Sequence, residues 1–351
     1  MTDISKIKVL IVDDSALIRS LLSQIIKSDK QLELVGAAPD AYEAREMVNR
    51  HRPDVITLDI EMPKVDGLTF LDRLMKARPT PVIMISSLTE QGAEVTLRAL
   101  ELGAVDYLAK PKIDIAKGIE AYTEQIITKI KMAARANVRK HHHTSAPTER
   151  LMFKTTEKII AIGASTGGTE AIREVLVNLP VDSPGIVITQ HMPPGFTRSF
   201  ANRLNDLCRI QVSEAQGGER IMPGQAYLAP GDKHLVVVKS GADYRLALDD
   251  GPRFSNHKPS VDIMLRSIAD QVGQNAIAVI LTGMGKDGAM GIAEIAERGG
   301  YTIAQDEETS LIFGMPAAAI RTGKIRQILP LNKISEQLIK VLNAMGNEYR
   351  I

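Results

Sequence analysis

Between residues 7 and 124 the chain repeats one pattern: a short, mostly apolar run, a turn, and a stretch whose apolar residues recur at helical spacing. The runs are Lys8-Val9-Leu10-Ile11-Val12, Glu33-Leu34-Val35-Gly36, Val55-Ile56-Thr57-Leu58, Val82-Ile83-Met84-Ile85 and Ala104-Val105-Asp106-Tyr107-Leu108. Between the first two, Leu17, Ile18, Leu21, Leu22, Ile25 and Ile26 fall on one helical face. Strands that alternate with helices in this way pair in parallel, because the helix carries the chain back across the sheet. Strands apolar throughout are buried on both faces, so helices must cover both. The pattern predicts an α/β fold, a doubly wound five-stranded parallel sheet with ligands collected at the carboxyl ends of its strands.

Chemistry-bearing residues stand at those ends. Asp13 and Asp14 follow the first strand, Asp59 the third, Ser86 the fourth, and Lys110-Pro111 the fifth. An aspartate at one strand end is ordinarily a cap or turn residue. Three carboxylates converging on one edge repel one another unless a hard cation neutralises them, and Mg2+ binds with few carboxylates while keeping several waters. A metal there could also bind a phosphoryl group on Asp59, with Lys110 adding positive charge and Ser86 a hydroxyl.

Val12-Asp13-Asp14-Ser15, Leu58-Asp59-Ile60-Glu61-Met62-Pro63, Asp66-Gly67 and Ala109-Lys110-Pro111 together resemble a response-regulator receiver domain. The resemblance implies that a histidine kinase phosphorylates Asp59. It also implies that Asp14, Asp59 and the Glu61 backbone carbonyl hold Mg2+, with Asp13 acting through water. Ser86 and Tyr107 take switch roles beside Lys110, and the Lys110-Pro111 peptide is cis.

The receiver-like segment is expected to span residues 1–124, with a helical extension and linker over 125–153 and a second domain over 154–351. Lys140-His141-His142-His143-Thr144-Ser145-Ala146-Pro147 has no apolar periodicity and reads as an exposed linker rather than a metal site.

In the second domain, Gly163-Ala164-Ser165-Thr166-Gly167-Gly168 follows the apolar Ile159-Ile160-Ala161-Ile162 and precedes a helix-patterned stretch. Ser165 is thus placed on a tight strand-to-helix turn, where glycines permit a sharp bend and helix N–H groups favour developing negative charge. The same features suit an N-cap or a phosphate loop. Against a dinucleotide site, Ser165 occupies the middle glycine position of the fingerprint, and the next strand ends in Gln190 and His191 rather than an acid.

Two further apolar runs end in reactive residues. Gly185-Ile186-Val187-Ile188-Thr189 leads to Gln190-His191-Met192-Pro193, and Ala276-Ile277-Ala278-Val279-Ile280-Leu281 leads to Thr282-Gly283-Met284-Gly285-Lys286-Asp287-Gly288. In a second doubly wound parallel sheet all three ends face one crevice, so Ser165, His191 and Asp287 can meet as nucleophile, base and orienting acid. An α/β-hydrolase order of serine, acid, histidine is compatible with Asp249, Asp250 and His257, although no sheet precedes the serine strand. Residues 221–250 are expected to break the alternation, with Leu235-Val236-Val237-Val238 and Tyr244-Arg245-Leu246-Ala247-Leu248 forming an antiparallel hairpin. His234 and His257 read only as loop or strand-end residues, and Pro259-Ser260-Val261-Asp262 opens a helix.

With these residues placed, the second domain resembles the catalytic domain of chemotaxis protein-glutamate methylesterases, the CheB family. The resemblance implies hydrolysis of γ-glutamyl methyl esters on methyl-accepting chemoreceptors, deamidation of receptor glutamines in many members, and an oxyanion contact from the Met284 backbone N–H. It implies no cofactor for ester hydrolysis, and release of an obstructed Ser165 crevice when the receiver is phosphorylated. A signalling adaptor without catalysis and a hydrolase of small esters are the rival readings.

Charge is nearly balanced, 43 Lys and Arg against 42 Asp and Glu, which gives no basis for a nucleic-acid partner or an anionic membrane surface. One cysteine, Cys208, excludes an internal disulfide. No apolar run approaches the roughly 20 residues needed to span a bilayer. The expected location is the cytoplasm, with no membrane insertion.

Overall fold

The computed structural model describes residues 6–87, 89–110, 119–138 and 157–347. The chain divides into two compact units, residues 1–140 and 141–351. The expected linker histidines and the Lys110-Pro111 peptide lie outside the described residues, since Pro111 and positions 139–156 fall there.

The first unit runs β1 (Ile7–Val12), α1 (Ala16–Ser28), β2 (Leu32–Ala38), α2 (Ala41–His51), β3 (Val55–Asp59), α3 (Gly67–Ala77), β4 (Val82–Ser86), α4 (Glu90–Glu101), β5 (Asp106–Ala109) and α5 (Ile119–Ala133). Its five strands are all parallel, in the order β2-β1-β3-β4-β5. The strand order reverses between β1 and β3, and Asp13, Asp14 and Asp59 stand at the carboxyl ends there. Helix starts carry side-chain caps: Ser15 accepts from Ile18 N–H, Asp40 from Tyr42 and Glu43, and Asp66 from Thr69. On α1 the buried face is narrower than expected. Leu22, Ile25 and Ile26 are buried, whereas Leu17, in the first turn beside the strand ends, is 68% exposed. Helix α5 runs unbroken across residue 124, and its Ile126 and Ile130 are fully buried, so this helix packs as part of the first unit.

The second unit runs β6 (Ile159–Ala164), α6 (Gly168–Val177), β7 (Gly185–Gln190), α7 (Phe196–Leu207), β8 (Gln211–Glu214), β9 (Gln225–Leu228), β10 (His234–Ser240), β11 (Asp243–Asp249), α8 (Val261–Val272), β12 (Ala276–Ile280), α9 (Ala289–Glu297), β13 (Tyr301–Gln305), α10 (Met315–Arg321), β14 (Gln327–Leu329) and α11 (Leu331–Asn347). Seven parallel strands lie in the order β14-β13-β12-β6-β7-β9-β8. From β6 the chain builds outward through β7, then returns to the other side through β12, so the switch point lies beside β6. The alternation breaks as expected and begins to do so slightly earlier: β8, β9, β10 and β11 follow one another with no helix between them, β9 joins the parallel sheet, and β10 and β11 form the antiparallel hairpin. Strands β8, β13 and β14, short and with little apolar contrast, went unread in the sequence. Helix α8 packs on the hairpin through Met264, Leu265 and Ile268 against Leu235, Val237 and Leu246. Ser267 and Gln271 of α8 accept hydrogen bonds from Val237 and Lys239 N–H, which covers an otherwise unpaired strand edge.

Candidate active site

Ser165, Thr166 and Gly167 turn the chain from β6 into α6, and Gly167 adopts φ 77, a left-handed conformation that suits glycine. At Gly168 the requirement is space. A Cβ there would stand 2.1 Å from Gln190 Oε1 and 2.7 Å from Ala164 Cβ. The gap lets Gln190, at the end of β7, donate through Nε2 to the Ser165 carbonyl at 2.8 Å. Gly168 N–H donates to the same carbonyl at 2.7 Å, and Ser165 N–H donates to Thr282 O at 3.0 Å. The backbone of Ser165 is thereby tied to the ends of both neighbouring strands.

Ala164 and Gln190 are register partners, so Ser165 and His191 are the next residues along adjacent parallel strands, which lie about 4.8 Å apart. His191 N–H donates to Ala164 O at 3.3 Å. From the other side, β12 pairs with β6, and the loop after it returns Asp287 to the same edge. The His191 Nε2 to Asp287 Oδ2 distance is 2.8 Å. Three more donors reach that carboxylate: Ser260 Oγ at 2.8 Å, Val261 N–H at 2.8 Å and Asp262 N–H at 3.0 Å. Burial alone would raise the Asp287 pKa, but the His191 contact and the Asp262 and Val261 N–H groups, at the start of α8, outweigh it and hold the group below its ordinary value. A charged carboxylate accepts only, so the network assigns the neutral imidazole proton to Nε2 and leaves the lone pair on Nδ1. His191 Nδ1 is buried and has no hydrogen-bond partner.

The expected oxyanion contact also has a defined setting. A Cβ on Gly283 would stand 2.8 Å from Ser165 Cβ, so the peptide leading into Met284 lies against the serine. Gly283 N–H donates to Ile312 O, and Gly283 O accepts from Gly314 and Met315 N–H, which orients that peptide. Met284 is 39% exposed.

Several neighbours of the site make long-range contacts that the sequence did not indicate. His257 stacks on His191 with ring centroids 3.7 Å apart and an interplanar angle of 4°. Buried His234 accepts from Ser260 N–H through Nδ1 and donates through Nε2 to Pro252 O, so it braces the residue that donates to Asp287. Asp262 Oδ1 accepts from Gly291 N–H at 2.7 Å, joining α8 to α9 behind the Asp287 loop. Thr282 Oγ1 ties the turn after Ser165 to the 312 loop through Thr166 O and Ile312 N–H. The readable signals were local ones, Gln190 at a strand end and Ser260 as a helix cap, and neither pointed to its long-range partner.

In the first unit, carboxylate oxygens of Asp13, Asp14 and Asp59 all lie within 4.8 Å of one another. Burial first, then the Asp59 charge, raises the Asp13 pKa to about 6, and its Oδ2 is buried without a partner. Burial also raises Asp59, against the pull of Lys110, whose Nζ is 2.8 Å from Asp59 Oδ1. Three carboxylates against one ammonium leave negative charge uncompensated, and an all-oxygen donor set with an orphaned oxygen suits a hard divalent cation. The exposed Glu61 contributes no carboxylate to this cluster; its N–H donates to Asp59 Oδ1 at 3.3 Å. Ser86 is buried at the end of β4, and its hydroxyl accepts from Thr96 Oγ1 of α4 at 2.6 Å. Burial raises the Tyr107 hydroxyl well above its ordinary pKa, and Lys129 Nζ lies 5.4 Å from the ring centroid.

Comparison with known proteins matches residues 160–338 to the CheB methylesterase family and residues 9–122 to the response regulator receiver domain. The chain is 56% identical over 347 residues to the protein-glutamate methylesterase/protein-glutamine glutaminase 2 of Pseudomonas aeruginosa, covering 98% of this chain and 99% of that protein. It is 52% identical to the protein-glutamate methylesterase/protein-glutamine glutaminase of Salmonella typhimurium, covering 99% of this chain and 100% of that protein. Among solved structures, the Thermotoga maritima CheB methylesterase catalytic domain aligns at 43% identity and a TM-score of 0.52, covering 53% of this chain and 100% of that one.

Proposed function

The chain belongs to the CheB methylesterase family and carries a receiver domain ahead of its esterase domain, and from that premise we propose that it is a phosphorylation-regulated protein-glutamate methylesterase and glutaminase acting on methyl-accepting chemoreceptors in the cytoplasm. Ser165 is the nucleophile, His191 the general base, Asp287 the residue that orients the imidazole. The observation that carries this reading is the His191 ring itself: Nε2 is bound to Asp287 at 2.8 Å, and the buried Nδ1 is unpartnered, one residue beyond the pairing that sets Ser165 beside it.

As Ser165 Oγ attacks the ester carbonyl, its proton passes to His191 Nδ1, and the Asp287 carboxylate stabilises the imidazolium that forms. The Met284 N–H and the first turn of α6 are the donors this reading assigns to the oxygen that becomes negative. Collapse breaks the ester C–O bond, and His191 returns the proton to the departing methanolate, so methanol leaves and a glutamyl ester of Ser165 remains. Water, deprotonated by His191, then hydrolyses that ester and frees Ser165. With a glutamine substrate the same sequence releases ammonia.

In the receiver domain, Asp59 accepts the phosphoryl group from a chemotaxis histidine kinase. Asp13, Asp14 and Asp59 are the side chains that would hold Mg2+, with Glu61 contributing through its backbone, and the cation would neutralise phosphoryl charge. Lys110 Nζ adds a second positive charge at Asp59, and Ser86 and Tyr107 are the switch residues. Phosphorylation adds about −1.5 to −2 of charge at neutral pH, the perturbation that alters activity.

Methanol release from methylated chemoreceptor membranes, with and without a small-molecule phosphodonor, tests both domains. A phosphodonor-stimulated rate that disappears in Ser165→Ala is expected. An unchanged rate in that variant overturns the esterase assignment, and a rate indifferent to the phosphodonor overturns the regulation.

A further inference from the structure

The Asp287 hydrogen bond fixes one point of the His191 ring. A ring held at one edge atom can still roll about that contact, and a roll moves Nδ1, on the other side of the ring, away from any fixed hydroxyl. Proton transfer needs heavy atoms within about 2.6–3.2 Å, so the ring plane has to be set by something else.

We propose that His257 is a positioning residue that sets this plane: its imidazole lies flat on His191, at 3.7 Å and 4°, and holds Nδ1 in line for the Ser165 hydroxyl. The inference rests on the esterase reading of the same site. His257 does this with its face, since the contact is a stack and no hydrogen bond links its ring to a described residue.

The chain around His257 is built to present that face. Phe254 and His257 exchange both backbone hydrogen bonds, at 3.0 and 2.9 Å, across Ser255 and Asn256. Those two residues have φ values of 50 and 69, both left-handed, as in a type I′ turn. Arg266 of α8 lies 5.5 Å from the Phe254 ring centroid, and Lys258 Nζ binds Asp250 Oδ1 at 2.7 Å, bracing the turn on each side. Three residues after His257, Ser260 donates to the Asp287 carboxylate. One short segment thus steadies both members of the imidazole–carboxylate pair, the ring through its face and the acid through a hydroxyl.

Two stacked imidazoles tolerate one positive charge between them, not two. Burial first, and then the proximity of His191, lowers the His257 pKa to about 4. His257 therefore stays neutral while His191 carries the proton during turnover, and it takes no part in the proton transfer.

The test compares His257→Ala, His257→Phe and Ser165→Ala in the full chain, by methanol release from methylated chemoreceptor membranes with phosphodonor present. Loss of one aromatic stack predicts a fall in kcat of about tenfold for His257→Ala, with KM within about twofold. His257→Phe, which keeps a flat uncharged ring, is expected within about threefold of the unmodified protein. An unchanged kcat in His257→Ala, a change confined to KM, or equal losses in the Ala and Phe variants would overturn the inference. If His257→Ala fails to fold, His257→Gln replaces it: Phe fast and Gln slow supports the stack, and equal rates refute it. Ser165→Ala separates the two levels. A rate surviving in that variant removes the esterase reading, whereas its loss beside a fully active His257→Ala removes only the role of His257.

Discussion

Asp287→Asn keeps the size and shape of the side chain and removes one charge from a group that is 1% exposed and receives four hydrogen bonds. The acceptor pattern decides the damage. One carboxylate oxygen accepts from Ser260 Oγ and Asp262 N–H, the other from Val261 N–H and His191 Nε2, so an amide NH2 at either position must face a backbone N–H. At the second position it also faces Nε2, which forces the proton onto Nδ1 and removes the base. At the first, the tautomer survives but the imidazolium loses its counter-charge. At an effective dielectric of about 20, opposite unit charges at the 2.8 Å separation attract by about 6 kcal/mol, of which the amide dipole retains a share. A net loss of about 3–5 kcal/mol corresponds to a fall in kcat of about 10²- to 10⁴-fold. The misplaced donor costs folding stability about 1–3 kcal/mol. Because Asp287 is buried behind His191, KM should change little. Steady-state methanol release gives kcat and KM, and thermal melting gives the stability change. A kcat within about tenfold of the unmodified protein, in a folded variant, would refute the assignment of Asp287 as the residue that orients and charges the His191 pair.

Other consequences can be measured separately. Gly168→Ala drives a Cβ against Gln190 Oε1 and should destabilise the catalytic domain by about 1–3 kcal/mol; adding Gln190→Ala should recover part of that, and denaturant melts of the four proteins show whether the two sites couple. His257, faced by His191, Asp287 and Arg253, has a folded pKa of about 4 against 6.5 when exposed, so the unfolded chain binds more protons between those values. Its contribution to stability is complete above about pH 6.5 and is lost as pH falls towards about 4, and His257→Phe should flatten the melting temperature over that window. Chelating divalent cations should abolish Asp59 phosphorylation by a small-molecule phosphodonor, and Mg2+ should restore it; labelling that persists in excess chelator would count against the acidic cluster as the metal site.

The two α/β layers were legible because their signal is local. Val9 to Val12, Ile159 to Ile162 and Ala276 to Leu281 are apolar without interruption, and strands buried on both faces need that composition wherever they lie in the chain. The order of events around β6 followed as well, since residues just beyond parallel strands share one edge, and this is why Ser165, His191 and Asp287 could be named together. Short edge strands such as β8 and β14 carry little burial and so little contrast, and the parallel pairing of β9 with the distant β7 has no signal in consecutive residues. The same limit explains Leu17, whose helical position suggested burial but whose place in the first turn of α1 leaves it facing outward.

What the sequence determined by itself was the sheet edge on which Ser165, His191 and Asp287 gather, because strand periodicity and strand-end position are properties of consecutive residues. What tertiary structure alone decided was how those groups are held: Gln190 reaching the Ser165 carbonyl through the space at Gly168, Ser260 braced by His234 against Asp287, and His257 laid flat on His191. Each of these contacts joins residues separated by a helix, a hairpin or more. Their geometry depends on how layers pack in three dimensions, and no spacing along the chain encodes it.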